Sequence, residues 1–123
     1  MMRYVLIAAG GGAIGTVLRY LSQRVAGQMI PSAFPWGTFA VNMIGCLLIG
    51  ICWGLSLRWQ SFSTDWKVFL MTGICGGFTT FSAFTLEGMM LLKEQRVGLF
   101  FIYVGLSVIA GLLATWGGMR MVS

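Results

Sequence analysis

The sequence contains no histidine and only three acidic residues, Asp65, Glu87 and Glu94, among its 123 residues. Histidine is the commonest general base and metal ligand of enzymes, and carboxylates are the other frequent acid–base groups. With so few of these groups, a hydrolase or a redox enzyme is difficult to assemble. We therefore predict that the chain is not an enzyme.

Charged residues of either sign are also scarce. They make up 9% of the chain, whereas roughly a quarter of the residues in a globular domain are charged. The net charge is +5, but the basic residues are scattered near the ends of apolar runs instead of forming one patch. We interpret them as anchors at a membrane surface and expect no nucleic-acid partner.

Long apolar runs dominate the sequence instead. A helix that crosses a bilayer needs about 20 predominantly apolar residues. Four runs reach that length, at residues 4–25, 36–57, 66–92 and 97–122. The connections between them are short, and the first contains Pro31 and Pro35, which stop a helix. We predict an all-α integral membrane protein whose four helices form one transmembrane domain over residues 1–123.

Small residues recur four positions apart in each predicted helix. The pairs are Gly11 and Gly15, Gly50 and Gly54, Gly73 and Gly77, and Ser107 and Gly111. Small residues at this spacing let helix backbones approach closely in lipid. We expect most of these glycines to serve packing alone.

The basic residues indicate no preferred orientation in the membrane. Four helices would place both termini on one side of the bilayer. That side would carry Arg3, Arg58, Lys67 and Arg120, and the opposite side Arg19, Arg24, Lys93 and Arg96. An imbalance of Lys and Arg normally sets the direction of insertion. Four against four therefore predicts that the chain inserts both ways and pairs with its inverted copy.

The segment from Gly73 to Thr85 places glycines and hydroxyls inside the third apolar run. Non-helical backbone at membrane depth is tolerated only where protein or water shields it, because an unpaired backbone group costs several kcal/mol in hydrocarbon. We predict a break in the third helix near Gly76–Thr80. Its freed carbonyl oxygens are groups that a hard monovalent cation such as Na+ could bind.

Two further features could contact a small anion. Asn42 shares a face of the second helix with Thr38 and Gly45, and its amide suits either an interhelical hydrogen bond or donation to a dehydrated anion. Phe81 and Phe84 share a face of the third helix, and aromatic ring edges carry positive charge. Amide, hydroxyl and ring-edge groups together could replace part of the hydration of a small anion.

These segments resemble the Fluc (CrcB) family of bacterial fluoride channels. The resemblance rests on residues 11–20 (GGAIGTVLRY), on Gly37-Thr38 with Asn42 and Gly45, and on residues 73–85 followed by Glu87. The fourth helix matches mainly in its length and in Ser107. The resemblance implies a passive channel that exports cytoplasmic F− down its electrochemical gradient and so gives fluoride resistance.

The resemblance also implies an assembly and a set of site residues. The assembly is a dual-topology antiparallel homodimer in the bacterial inner membrane, with two fluoride pathways along the subunit interface. The implied pore residues are Asn42, Phe81, Ser82, Phe84, Thr85 and Ser107, with Arg19 in the vestibule. A structural Na+ at the dimer centre would be held by the backbone carbonyls of Gly76 and Thr79.

One position departs from the family pattern. Ala83 stands where Thr is common between the two phenylalanines. If that hydroxyl normally contacts the ion or positions a ring, its loss would cost about 1 to 3 kcal/mol. We expect the fold and the site to be retained and the conductance to be lower.

Two other functions stay open from the residues. A small dual-topology, proton-coupled multidrug exporter would need a carboxylate inside the membrane, ideally in the first helix. The first run has none, and Glu87 in the third run is the one candidate. A non-transporting assembly subunit would show no flux at all.

Overall fold

The structure is a computed structural model that describes residues 1–122. It contains α1 (Met2–Met29), α2 (Trp36–Arg58), α3 (Thr64–Lys67), a π-helical stretch (Val68–Cys75), α4 (Gly76–Phe78), α5 (Phe81–Lys93) and α6 (Val97–Met121). Four helical spans in this part of the chain are long and apolar enough to cross a membrane: Met2–Met29, Trp36–Arg58, Thr64–Lys93 and Val97–Met121. The predicted all-α protein with four membrane-spanning helices is confirmed.

The connection between α1 and α2 is short and turns back into the bundle. α1 runs beyond the predicted end at residue 25 and stops at Met29, shortly before Pro31. α2 begins directly after Pro35. Proline is tolerated at the start of a helix, because a backbone N–H there would have no partner within the helix. Between the two prolines, the side chain of Phe34 is buried at 7% exposure. Phe34 therefore anchors the connection to the helices, whereas residues 30–33 are exposed.

The third span is assembled from several pieces. Its α-helical start widens into the π-helical stretch, a form in which each backbone bond spans one extra residue. α4 then ends at Phe78, and the next two residues are extended: Thr79 has φ −92° and ψ 159°, and Thr80 has φ −150° and ψ 120°. The helix resumes as α5 at Phe81. The Thr80 hydroxyl caps it by accepting from the backbone N–H of Ala83 at 3.2 Å.

Glycines set the contact between α1 and the third span. A Cβ added at Gly11 would lie 2.5 Å from the Phe69 carbonyl oxygen, and one at Gly77 would lie 2.5 Å from the Gly12 carbonyl oxygen. Both distances are too short for real atoms, so only glycine permits this approach. Gly11 lies against Phe69, and Gly15, one turn later, lies against Ile74. Later residues of α1 therefore contact later residues of the third span, so the two run in the same direction.

The second close pair is α2 and α6. A Cβ at Gly50 would collide with the Thr115 carbonyl oxygen, and one at Gly118 would lie 2.9 Å from the Ile51 backbone nitrogen. The contact at Gly111 is looser, because a Cβ there would lie 3.5 Å from the Cys46 sulfur. The close packing predicted for the glycine pairs is confirmed, whereas Gly111 retains room for a methyl group.

Buried side chains are few, and one cluster of them lies where the α1–α2 connection meets α5 and α6. Phe34, Leu91 and Tyr103 form an apolar cluster, and Phe39 and Phe84 pack against it. Elsewhere large apolar side chains face outward, including Phe101, Ile109 and Leu112 on α6. An outer surface of this kind is suited to lipid or to another chain and not to water.

Candidate functional site

Asn42 on α2 binds the extended segment of the third span. Its side-chain Nδ2 donates to the Thr80 carbonyl oxygen at 3.1 Å, and its Oδ1 accepts from the Thr80 backbone N–H at 2.8 Å. These two bonds satisfy backbone groups of Thr80 at the point where α-helical pairing is interrupted. The sequence left two roles open for the Asn42 amide, an interhelical hydrogen bond and donation to an anion. The structure contains the interhelical hydrogen bond.

The neighbouring residue, Thr79, closes the other side of the extended segment. Its hydroxyl donates to the Cys75 carbonyl oxygen at 2.9 Å, and its backbone N–H donates to the same oxygen at 3.0 Å. Its methyl group occupies the space beside Gly45, because a Cβ added there would collide with Thr79 Cγ2. Gly45 was singled out with Asn42 by helical spacing, and both residues now prove to hold the same segment.

A cavity of about 350 Å³ lies beside this segment, between α2, the third span and α6. Of the nine predicted site residues, six line it: Asn42, Gly76, Thr79, Phe81, Phe84 and Ser107. Apolar side chains such as Ile49 and Met71 form much of the remaining wall. The cavity thus combines a few polar groups with a mostly dry lining, an arrangement typical of small-ligand sites.

The two phenylalanines differ in their surroundings. Their ring centroids are 5.7 Å apart with an interplanar angle of 43°. Phe84 also packs on Tyr103, with centroids 5.1 Å apart, whereas Phe81 is 75% exposed on the surface of the chain. Phe84 is therefore fixed by the core, and the Phe81 ring has one face uncovered by this chain.

Two hydroxyls of α6 have no hydrogen-bond partner within residues 1–122. They are Ser107 Oγ, at the cavity wall, and the Tyr103 hydroxyl one turn earlier, on a side chain with 0% exposure. A buried hydroxyl without a partner is uncommon and carries an unused donor. Our sequence reasoning named Ser107 but missed Tyr103, which the four-residue spacing on one helix face could have indicated.

Ser82 and Thr85 lie outside the cavity. Both are exposed, and the Thr85 hydroxyl donates to the Ser82 carbonyl oxygen at 2.9 Å. Ser82 Oγ lies 3.4 Å from Thr80 Oγ1. Since they occupy the helix face next to that of Phe81 and Phe84, they are not brought into the cavity of a single chain. Their predicted place in a pore stays a prediction.

Arg19 reaches across from α1 to the third span. Its Nε donates to the Gly77 carbonyl oxygen at 3.0 Å, and its Nη1 donates to Gln23 Oε1 at 3.3 Å. It does not line the cavity beside Asn42. The guanidinium therefore lies close to α4, where it supplies a donor to one of the carbonyls that precede the extended segment.

A chain of polar contacts continues from Arg19 to the carboxylate of Glu87. Gln23 Nε2 donates to Thr38 Oγ1 at 3.0 Å, and the Thr38 hydroxyl donates to Glu87 Oε1. Gln23, Thr38 and Glu87 line a second cavity of about 190 Å³ under the α1–α2 connection. Our sequence reasoning left Glu87 without a partner and missed Gln23 altogether, since the partners come from three different helices.

No group of three or more cysteine or carboxylate side chains in the described part of the chain is arranged to hold a metal ion. A cation bound by backbone carbonyls would use different ligands. Gly76 and Thr79, the residues predicted to supply such carbonyls, both line the 350 Å³ cavity.

Comparison with known proteins connects this chain to a family. The family model described as CrcB-like protein, Camphor Resistance (CrcB), matches residues 6–119. A protein of Flavobacterium psychrophilum named "Fluoride-specific ion channel FluC" is 44% identical over 118 residues, which cover 96% of this chain and 95% of the relative.

Other relatives carry the same name. One from Leptospira interrogans is 42% identical over 118 residues, covering 96% of this chain and 93% of its own. One from Methylobacillus flagellatus is 45% identical over 122 residues, covering 98% of this chain and 95% of its own. The similarity therefore extends over nearly the full length of each protein.

Proposed function

Because the chain belongs to the CrcB-like protein family, we propose that it is a fluoride-selective channel that conducts F− passively across a membrane. The family expected from the sequence motifs is confirmed. Its relatives are named as ion channels, which agrees with the prediction that the chain is not an enzyme. The observation that carries the proposal is the cavity in which Asn42, Phe81, Phe84 and Ser107 meet.

The lining of this cavity suits a small anion that has lost water. Ser107 Oγ has an unused donor, and the Asn42 amide has two N–H groups of which Thr80 takes one. The edges of the two Phe rings add positive character. Fluoride depends more on close donors than the larger chloride does. A narrow passage that offers few donors and no cationic side chain can therefore pass F− without holding it tightly.

Export is the direction that acid–base chemistry requires. Neutral HF crosses lipid, ionises near neutral pH and leaves the anion trapped inside the cell. A passive channel in the bacterial inner membrane lets F− leave down its electrochemical gradient, which would give fluoride resistance. The four membrane-spanning helices are consistent with such a multi-pass location.

We place the conducting form in an antiparallel homodimer of chains inserted in both orientations. The equal count of basic residues on the two sides supports dual insertion. Phe81, Ser82 and Thr85 are exposed on the single chain, at or next to the cavity. A second copy placed over them would enclose the ion pathway and bring the hydroxyls of Ser82 and Thr85 into it.

The same pairing gives a location for Na+. Gly76 and Thr79 lie at the interrupted third span, and an inverted copy would bring a second set of carbonyl oxygens to the two-fold axis. Hard cations prefer such oxygen ligands. We propose that this Na+ is structural and stabilises the crossing of the two third spans.

The rival exporter function is not favoured by the relatives. It requires an accessible carboxylate that exchanges protons with a drug, whereas Glu87 accepts a hydrogen bond from Thr38 in a network of three helices. This arrangement is better suited to a fixed polar contact.

Reconstituted protein can test the proposal directly. Liposomes loaded with potassium fluoride should release F− when valinomycin compensates the charge, and a fluoride electrode would record the release. The same liposomes loaded with chloride should retain it. Efflux that needs a proton gradient, equal release of the two anions, or no release would contradict the channel.

A further inference from the structure

A groove opens between the C-terminal ends of α2 and α6, away from the cavity at Asn42. Its volume is about 440 Å³. α2 and α6 run in the same direction, since successive residues of one contact successive residues of the other, so both helices end at the same membrane face. α2 ends at Arg58 and α6 at Met121. The groove therefore lies where a bilayer changes from acyl chains to headgroups.

The walls of the groove are mainly apolar. Leu57, Trp116, Met119 and Val122 surround it, and Gly54 contributes no side chain to its floor. Leu57 is 71% exposed and Trp116 is 60% exposed, so this chain leaves both largely uncovered. Tryptophan at a membrane interface is suited to contact both acyl chains and headgroups. An apolar lining of this kind fits a hydrocarbon chain.

The polar end of the groove carries positive charge. Arg58 and Arg120 both belong to the lining, which contains no acidic side chain. The Arg120 guanidinium lies over the Trp116 ring, 5.8 Å from its centroid. Arg58 is exposed at the last turn of α2. The groove lining thus combines two arginines with apolar side chains.

The acidic side chains of the protein are all engaged elsewhere. Asp65 pairs with Arg3, and Glu87 accepts from Thr38. Glu94 lies 3.6 Å from Arg96, at the opposite membrane face. None of these three carboxylates forms an ion pair with Arg58 in the described structure, so Arg58 offers a positive charge to an anion from outside the protein.

We propose that this groove binds an anionic phospholipid, with its headgroup phosphate at Arg58 and an acyl chain along Leu57, Trp116 and Met119. A free phosphate ion would gain nothing from the apolar walls. A zwitterionic lipid carries its own cation beside the phosphate and gains less from the charge of Arg58. The charge and the lining together therefore select a phosphatidylglycerol-like lipid. One such site exists on each chain.

Native mass spectrometry of the full-length protein in neutral detergent tests this site. Dioleoyl phosphatidylglycerol and dioleoyl phosphatidylcholine are titrated separately, so that only the headgroup differs. We expect one tightly bound phosphatidylglycerol per chain and weaker phosphatidylcholine binding. Arg58→Gln should weaken phosphatidylglycerol binding about fivefold, which corresponds to the ~1 kcal/mol attraction of one basic residue near an anionic headgroup.

Two variants make the test specific. Arg24→Gln removes an exposed arginine at the other membrane face and should leave phosphatidylglycerol binding unchanged. Leu57→Glu keeps both arginines but places a carboxylate at an exposed position of the groove, and it should weaken binding at least as much as Arg58→Gln.

Several outcomes would overturn the proposal. Equal affinity for the two lipids would exclude headgroup recognition. An equal loss in Arg24→Gln and Arg58→Gln would indicate a general effect of charge, and unchanged binding in both Arg58→Gln and Leu57→Glu would place the lipid elsewhere. Displacement of phosphatidylglycerol by inorganic phosphate at equal concentration would indicate an ion site without a role for the acyl chain.

Discussion

Asn42 pairs with Thr80 through both ends of its side-chain amide, with bonds of 3.1 Å and 2.8 Å to the Thr80 carbonyl and N–H. The Asn42 side chain thus supplies the hydrogen bonds that the extended backbone of Thr80 would otherwise form within a helix. The same residue lines the cavity that we assign to fluoride. Asn42 therefore holds the extended segment and also lines the proposed fluoride pathway.

Replacement of Asn42 should damage both roles. Asn42→Ala would leave the Thr80 N–H and carbonyl without partners, at a cost of about 1 to 3 kcal/mol for each group that stays buried. We expect a lower thermal unfolding temperature in detergent together with fluoride efflux reduced at least about tenfold, since ~1.4 kcal/mol corresponds to a factor of ten.

Ile44→Ala is the matched control for Asn42. Ile44 is on the same helix, is 50% exposed and does not line the cavity. It should reduce neither efflux nor stability to a comparable extent. Normal efflux from Asn42→Ala would show that neither the pairing nor the second amide N–H is needed.

Ser107→Ala should separate conduction from stability. Ser107 Oγ is buried without a partner in residues 1–122, so its removal breaks no hydrogen bond inside the chain. The unfolding temperature should stay the same or rise. Fluoride efflux should fall at least about tenfold, because one hydrogen bond to a charged group is worth roughly 1.5 to 3 kcal/mol.

Thr115→Ala on the same helix should behave in the opposite way. The Thr115 hydroxyl donates to the Cys46 carbonyl oxygen at 3.1 Å, and the residue does not line the cavity. We expect a stability loss of about 1 kcal/mol and nearly unchanged efflux. If Ser107→Ala lowers stability and not efflux, Ser107 does not contact the ion.

Gly45→Ala tests how tightly the extended segment is fixed. The added methyl would collide with Thr79 Cγ2, so the Thr79 side chain must rotate away from its bond to Cys75 or the segment between α4 and α5 must shift. Overpacking of this kind typically costs about 1 to 3 kcal/mol. We expect a lower unfolding temperature and impaired fluoride efflux.

Gly10→Ala controls for the change of residue type. Gly10 is also helical, but a Cβ there meets no atom within 4 Å. Alanine in a helix is favoured over glycine by roughly 0.5 to 1 kcal/mol, so this variant should be as stable as the parent or more so. Equal behaviour of the two variants would mean that the Gly45 contact has no structural role.

Ala83→Thr should raise the rate of fluoride efflux. Ala83 lies between Phe81 and Phe84, and its backbone N–H bonds the Thr80 hydroxyl that caps α5. A hydroxyl at this position would add a donor next to the two rings. Ala83→Val adds similar bulk without the hydroxyl and should not raise the rate. Equal rates for the parent and Ala83→Thr would show that the hydroxyl is dispensable.

Sequence reasoning was most successful where a signal lies within one segment. The four apolar runs gave the spanning helices, and glycines four apart gave the close contacts of α1 and α2. The end of α1 was placed too early, because α1 continues past its apolar run and ends at Met29, two residues before Pro31. The apolar runs show where the helices form, but the residue at which a helix ends also depends on the residues that follow its apolar run.

The partners of polar side chains were much harder to predict. Asn42 was named from its position, but its bonds to Thr80 join residues 38 positions apart. The chain from Gln23 through Thr38 to Glu87 depends on how three helices are arranged. Tyr103 was missed because a tyrosine in an apolar run looks like an interface residue until its burial is known. Such contacts follow from tertiary packing, which no single segment encodes.

Dual insertion makes a prediction about charge. Four basic residues lie on each side of the membrane in the parent. Arg24→Gln together with Ser61→Lys would leave three on the side opposite the termini and give five on the side of the termini. An imbalance of this kind should fix one orientation of insertion. A C-terminal reporter would then lie on one membrane face in the variant, whereas the parent should show both. Because an antiparallel pair needs both orientations, fluoride resistance of cells should fall.

Restored function in a mixed population would distinguish orientation from damage. Arg58→Gln together with Ser32→Lys biases the count in the opposite direction, with five basic residues on the side opposite the termini and three on the side of the termini. Co-expression of the two biased chains should restore fluoride resistance, because each supplies the orientation that the other lacks. Resistance that persists in cells with either biased chain alone, with the reporter on a single face, would show that an inverted partner is not required for conduction.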